Sequence, residues 1–416
     1  MVTSLGLEVE ENWSNALAGI SGIQKLSYPE TEHSRIQAAG TVKSDDWKKL
    51  CQELDPASNK ADERRTKFAL WAAQKAYSDA ALNSGTKERA GVILAAGLGI
   101  NRLEDIHHWL TDDQKFDYQK FINEYKMVHP ESIIKNNSHR PAALIADRFG
   151  LMGYNATITT ACASATQAFG TAYRAIRRGD ADIMLAGGAD SMINPVGLIF
   201  FVLLGAASQS DGDPASACRP FDRKRSGLVM GEGAGIAVLE EEEHAKKRGA
   251  KIYAEVCGYA TTMDAYKVTA PDPKGRGAEL SMKKALDNAA MDPENIDYIN
   301  AHGTSTKLND SAETMAIKNV FGPHAQKLAI NSSKSLTGHL IAASGGPEFI
   351  FTALSVNRDE IHPTINLTNP DPKCDLDYVA NTKRQKQVRA AISNSFGFGG
   401  QNASIVIKKY IGHAGA

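Results

Sequence analysis

The chain of 416 residues carries no excess of either charge: 47 Lys and Arg stand against 48 Asp and Glu. A nucleic-acid scaffold would show a basic surplus, so that class is set aside. Cysteine is sparse. Five occur, at 51, 162, 218, 257 and 374, with no C-x-x-C pair, which argues against a zinc ribbon and a disulfide framework. No apolar run is long: residues 195–207 make thirteen, short of the about 20 a membrane span needs, and read as core or interface. Met1-Val2-Thr3-Ser4 opens without a basic n-region and an apolar h-region, so no signal peptide is read and a reducing cytoplasm is expected. No short-period repeat is found.

What the chain does have is a 42% hydrophobic content, enough for a large core, and 35 glycines, a load that suits tight turns and close backbone approach. Apolar strands alternate with helical patterns, which predicts an α/β fold. Strands are expected at 91–96, 156–160, 182–186, 235–239, 252–256, 296–301, 389–393 and 403–407. Helices are expected at 67–82, after Cys162 as far as Gly179, at 277–290 and at 311–321, the last stopped by Gly322-Pro323. Residues 101–138 are polar, aromatic and weakly periodic, and read as a cap. The similar order of elements in 1–245 and 250–411 suggests a duplicated α/β half.

Chemistry concentrates at four places. In ITTACASATQA (158–168) a strand runs into Cys162 and a helix leaves it. A sulfur at a helix N-terminus faces unpaired N–H groups and the positive dipole end, which lowers the thiol pKa and offers donors to an oxyanion. The small residues Ala161, Ala163 and Ala165 leave room for a substrate. The other reading, a cysteine packed as a small hydrophobe, stays open on these residues alone. His302 ends the strand at 296–301 and enters AHGTSTKLND, which also supplies the Thr304 and Thr306 hydroxyls. His339, after Thr337-Gly338, is expected at the start of an apolar helix, where the dipole would favour a neutral ring. Lys334 lies five residues before it. Neither histidine has a metal-ligand neighbour at the usual spacing. Cys162, two histidines and a lysine at strand–helix junctions compose a nucleophile with electrophilic helpers. In SNSFGFGGQN (393–402), glycines at 397, 399 and 400 alternate with Phe396 and Phe398. This reads as a β-turn or as a hinged apolar gate; no G-x-G-x-x-G opens a helix there.

TACASATQA, AHGTST, KSLTGH and NSFGFGGQN, in this order, resemble the β-ketoacyl-acyl carrier protein synthase family in its decarboxylating, two-histidine (synthase I and II) branch. RPFDRKRSGLVMGEGAG (219–235), DAYKVTAPDPKGRG (264–277) and HPTINLTNPDPKCDLDYV (362–379) extend the resemblance over nearly the whole chain. It implies a thiolase-like, five-layered αβαβα sandwich of two similar halves, 1–245 and 250–411, usually a homodimer. It implies an acyltransferase in fatty acid biosynthesis. Cys162 would take an acyl group from acyl carrier protein, and malonyl carrier protein would then lose CO2 and attack the acyl-enzyme. His302 and His339 would hydrogen-bond the malonyl thioester oxygen, with Lys334 a field or positioning group. The N–H groups of Cys162 and Phe398 would form the oxyanion hole. Phe398 would also gate the pocket with Phe396, and Thr304, Thr306, Gly397 and Gly399 would line the substrate path. No cofactor or metal is implied. An acidic carrier asks for a basic patch, for which Arg64, Arg65, Lys67 and Arg219, with Arg223 and Lys224, are candidates.

The resemblance also separates relatives. His339 stands where the initiating synthase III type has an asparagine, and the thiolase type needs a second cysteine motif that is missing. A type II polyketide ketosynthase pairing with a chain-length factor is the nearest alternative, and a non-catalytic carrier-binding protein the alternative of a different class. Three departures are expected to matter. The usual strand before the segment resembling MVTSLG is absent, which leads us to expect a natural start upstream of Met1. INRLEDIHHWL after Gly99 is unusually charged. CASATQA replaces a glycine after Cys-Ala-Ser, which narrows the site.

Overall fold

The computed structural model describes residues 1–26, 35–54, 63–82, 88–99, 107–128 and 137–412. Two mixed sheets carry the fold. The first is built from β1 (Ala90–Ala96), β2 (Asn155–Ile158), β3 (Ile183–Asp190) and β4 (Gly233–Glu240), in the order β2-β1-β3-β4. β1 pairs in parallel with β2 and β3, and β4 closes antiparallel. Every residue of β1 and β3 is buried, as near-continuous apolar runs in parallel strands should be. The second sheet contains β5 (Glu255–Met263), β6 (Tyr298–Asn300), β7 (Ala329–Asn331), β8 (Ala390–Gly397) and β9 (Gln401–Lys408), in the order β5-β9-β8-β6-β7. β8, β6 and β7 run in parallel, while β9 and β5 add antiparallel.

Helices cover both sheets. Two of them, α1 (Arg64–Asp79) and α2 (Arg140–Phe149), lie outside the first sheet; α3 (Ser164–Arg177) runs through the middle. Next come α4 (Pro195–Leu203), then α5 (Arg276–Ala289) and α6 (Lys307–Phe321) outside the second sheet, and α7 (Gly345–Arg358) beside α3. The layers are therefore helix, sheet, helix pair, sheet, helix, as expected. The middle layer is close-packed because its facing side chains are small. Ala165, Ala168 and Ala172 are fully buried, Phe169 stacks on Phe349 at 3.9 Å, and a Cβ on Gly188 would come within 3.0 Å of the Ala165 Cβ.

Most sequence-derived elements fall within a few residues of those observed. The strand expected at 252–256 begins instead at Glu255 and runs to Met263. Of the expected cap at 101–138, residues 107–128 show a short helix (Tyr118–Asn123) and an aromatic cluster in which Trp109 meets Phe121 edge-on at 5.0 Å. Residues 101–106 and 129–136 lie outside the described set. The apolar run at 195–207 becomes α4, buried on one side only: Ile199, Phe200, Leu203 and Leu204 are exposed, Leu203 at 79%. No described helix is long and apolar enough to cross a membrane.

Candidate active site

Three turns converge between the sheets. The first follows β2, where Ala161 takes a left-handed φ of 49° and Cys162 precedes the first turn of α3. That helix has no side-chain cap, and its first N–H, that of Ser164, donates to the Ala161 carbonyl at 3.2 Å. The second follows β6 and carries His302, with Ser305 at φ 67°. The third follows β7 and carries Lys334 and His339, with Ile341 at φ 49°. A non-glycine residue at positive φ costs of order 1–3 kcal/mol, and such strain tends to collect at functional turns.

The convergence is tight. Cys162 Sγ and one ring nitrogen from each of His302 and His339 lie within 4.8 Å of one another, and the two rings stand edge-on at 5.4 Å. Cys162, His302, Lys334 and His339 are each at most 2% exposed. Lys334 Nζ reaches Glu348 Oε1 at 2.5 Å, donates to the His302 carbonyl at 2.6 Å and sits 3.3 Å from His302 Nδ1.

These contacts set the tautomers. An ammonium only donates, so His302 Nδ1 accepts and its proton sits on Nε2. The Ile341 N–H donates to His339 Nδ1 at 3.0 Å, which likewise places that ring's proton on Nε2, a buried atom with no partner among the described residues. Burial, and next the Lys334 charge, hold both imidazoles far below the usual histidine range, so both are neutral donors. The site thus offers two uncharged N–H groups beside one sulfur. A Cys-His-His set has zinc's ligand types, but here both rings are polarised from behind toward donation to an anionic oxygen.

The sulfur departs from expectation. Burial pushes the Cys162 thiol up to about 11, against the opposing pull of Lys334 and the backbone N–H of Phe398. The helix terminus led us to expect a lowered value; desolvation of the thiolate in the closed site outweighs the opposing groups. His339 also differs. It is not at a helix start; it lies between the short Lys334–Thr337 turn and α7, pinned by His339 N–H to Val229 O at 2.7 Å and Gly231 N–H to His339 O at 2.8 Å.

The gate segment is the connection between β8 and β9, paired as far as Gly397 with Gln401. Gly397 packs closely on the nucleophile's turn: a Cβ would meet Cys162 N at 3.0 Å and Thr160 O at 3.1 Å, so a side chain there would push that backbone by a few tenths of an ångström. Gly399 turns at φ 83°. Phe396 is buried, edge-on to His302 at 5.8 Å, whereas Phe398 is partly buried near Phe201 at 6.5 Å. Thr304 and Thr306 pair through their hydroxyls at 2.9 Å, and Thr306 also caps α6.

The expected basic patch divides. Arg65 is only 3% exposed and turns inward to Gly97 O and Glu63, so it does not face an outside partner. Arg64 grips Glu232 with two nitrogens, and the Arg219 guanidinium folds onto Ser216 O. Lys67 lies partly buried over Trp47, while Arg223 and Lys224 are exposed. Two site residues escaped the sequence reading. Glu348 partners Lys334, and Glu313 accepts from the His302 and Gly303 N–H groups at 2.9 Å each. Burial raises both carboxyls to about 7. For Glu348 the signal available was a lone acid in an apolar helix, which demands a partner; Glu313, in a helix of mixed polarity, gave none.

Comparison with known proteins matches residues 1–245 to the beta-ketoacyl synthase N-terminal domain and residues 253–368 to its C-terminal domain. The 3-oxoacyl-[acyl-carrier-protein] synthase 2 of Staphylococcus aureus (strain COL) is 40% identical over 412 residues, 98% of this chain and 96% of that one. Its namesake from Synechocystis is 41% identical over the same spans. Among solved structures, a type II polyketide ketosynthase in complex with its acyl-carrier protein and bound to a hexaketide superposes with a TM-score of 0.88 at 33% identity, covering 98% of this chain and 97% of that one. A chain of the ishigamide ketosynthase/chain length factor gives 0.84 at 32% identity, covering 99% and 97%. The chain belongs to the beta-ketoacyl synthase family, and its fold is thiolase-like.

Proposed function

We propose that the protein condenses an enzyme-bound acyl group with malonyl-acyl carrier protein, lengthening a fatty acid by two carbons. The observation that carries this reading is the pair of neutral Nε2–H donors beside the Cys162 sulfur. In the first stage the sulfur attacks the thioester carbonyl of an acyl carrier, and its proton leaves with the carrier thiol. The oxyanion is met by the N–H groups of Cys162 and Phe398, the latter already directed at the sulfur. In the second stage malonyl carrier protein loses CO2. Charge gathers on its thioester oxygen between His302 and His339, which can stabilise it without first losing a proton. The carbanion attacks the acyl-enzyme, Cys162 leaves as thiolate, and the 3-oxoacyl carrier departs. Lys334 serves through His302, fixing its tautomer, and Glu348 neutralises that cation.

Phe398 guards the sulfur, and its glycine neighbours supply the conformational freedom to move. Gly397, Gly399, Thr304 and Thr306 line the approach. Arg223, Lys224 and Lys67 are the remaining cations for an acidic carrier, and the exposed apolar side of α4 suits a second copy of the chain in the cytoplasm. Incubation with acyl-loaded carrier, read by intact mass, tests the reading: an acyl adduct on the wild type and none on Cys162→Ala is expected, and an unmodified wild type refutes catalysis. A second reading, a polyketide ketosynthase, is supported by the superposed polyketide ketosynthase. Copurification of a stoichiometric, non-identical homologue would favour it.

A further inference from the structure

We propose that Ser164 is a positioning residue for the nucleophile: its hydroxyl holds the strained turn that presents the Cys162 sulfur, and so governs how fast that sulfur is acylated. The proposal rests on the acyl-transfer reading above.

The turn from β2 into α3 is compressed from two sides. On one side Gly397 packs closely on Cys162 N, Thr160 O and Ala163 N, at 3.0–3.2 Å from where a Cβ would stand. On the other, Ser164 Oγ accepts the Thr160 N–H at 2.7 Å and donates to the Ala161 carbonyl at 2.6 Å. The two bonds span the left-handed residue, Ala161 at φ 49°, and the Ser164 hydroxyl that makes them is fully buried, while Thr160 and Ala161 are half-buried. An alanine there would take the acceptor from the Thr160 N–H, leave the Ala161 carbonyl with only the longer backbone bond from residue 164 at 3.2 Å, and release the backbone toward an ordinary φ. Cys162 stands next in the chain, so relaxation would swing its sulfur away from the Phe398 N–H and from the two histidines.

The clamp is tied to the other half of the chain. Thr160 Oγ1 pairs with Gln167 Oε1 at 3.0 Å, Gln167 Nε2 donates to Thr261 Oγ1 at 3.0 Å, and that hydroxyl donates to Asn402 O at 2.9 Å. The nucleophile's turn is thus referenced to β5 and β9, the sheet that carries the histidine-bearing turns. The polar Ser164 and Gln167 of CASATQA serve this cross-sheet register.

Threonine and valine occupy the same space, so Ser164→Thr and Ser164→Val differ only in the hydroxyl. Iodoacetamide, which needs no carrier protein, reports sulfur presentation directly. We expect S164V to alkylate at Cys162 about tenfold more slowly than S164T, and to form acyl-enzyme slower by a similar factor. Malonyl carrier decarboxylation, which belongs to His302 and His339, should stay near wild type in both. Ser281→Ala, which removes a buried serine of the second half paired with Ser404, should leave both steps unchanged. Equal alkylation by S164V and S164T overturns the proposal. So does a parallel fall of acylation and decarboxylation with a lowered Tm, the pattern of mere structural damage. A wild type that alkylates but never acylates refutes the function reading instead, and the alkylation contrast still tests the clamp.

Discussion

The two sheets solve the same problem at matching positions and with different means. In each, an edge parallel strand (β2 or β7) feeds a helix of the middle layer (α3 or α7). In the first half the helix follows almost at once, uncapped, beginning two residues after Cys162. In the second, the chain spends residues 334–344 on a buried ion pair and a pinned histidine before α7 begins at Gly345. The first half presents a nucleophile just before an uncapped helix; the second presents donors held from behind by hydrogen bonds and an ion pair. The halves differ at the far edge as well. β9 is covered by β5 over eight residue pairs, whereas β4 meets only Val2, at Ala234, among the described residues.

The sharpest way to break this division is to remove its two ends separately. Cys162→Ala should abolish acylation and with it all condensation. His302→Ala should keep acyl transfer measurable while condensation falls on the order of 10²–10³-fold, the usual loss when one oxyanion donor is removed. Single-turnover mass spectrometry of both stages checks it. Equal losses in the His302 variant would mean that the donors serve the first stage too.

Next in size is the ion pair that underlies the second half's donors. Lys334→Met leaves Glu348 buried without its cation, and such a change costs about 3–5 kcal/mol. Urea unfolding should show it, and Lys334→Met,Glu348→Met should recover much of the loss. Among the described residues no comparable pair underlies Cys162, so Cys162→Ala should leave the urea midpoint nearly unmoved.

Acid sensitivity separates the halves by a smaller margin. His302, His339 and His362 are all buried, while no described histidine before residue 245 is. Burial lowers the His362 ring from 6.5 to about 4. Between those values the unfolded chain binds the proton and the folded chain does not. The stability present above pH 6.5 is therefore lost as pH falls toward 4, by about 3 kcal/mol at most. Glu313 and Glu348, raised to about 7, work in the opposite sense, gaining stability as pH falls below 7. The whole-protein curve is flattened by this opposition, so the informative quantity is a difference. His362→Asn should lose less stability than the wild type between pH 7 and pH 4; identical acid limbs in urea titrations would show that His362 titrates freely.

These contrasts also explain what the sequence disclosed. Cys162, His302 and His339 were legible because each sits where a strand pattern breaks into small or turn-forming residues, a local signal. The buried strands β1 and β3 were legible for the same reason, as apolar runs ending in glycine. What was not legible depends on burial, which no window reveals. Arg64 and Arg65 read as part of a basic docking patch, yet Arg65 points inward. The helix terminus at Cys162 suggested an acidic thiol, and desolvation reversed the sign. Glu348 and Glu313 each lie in helices whose partners are set by the packing of separate turns, and nothing local announces which cation or N–H groups they will meet.

The smallest expected effect tests the helix ends themselves. α6 begins under a cap, Thr306 Oγ1 accepting the Asn309 N–H at 3.3 Å, whereas α3 has none. Thr306→Ala should cost about 1 kcal/mol of stability, with Thr306→Ser restoring most of it, the ordinary response of an N-cap. If the hydroxyl is only a cap, acyl-enzyme formation should be unchanged in both variants once stability is matched by temperature. If Thr306 also touches the incoming substrate, T306A should raise KM while T306S does not, and the helix beside His302 would then share the functional use of its N-terminus that distinguishes α3.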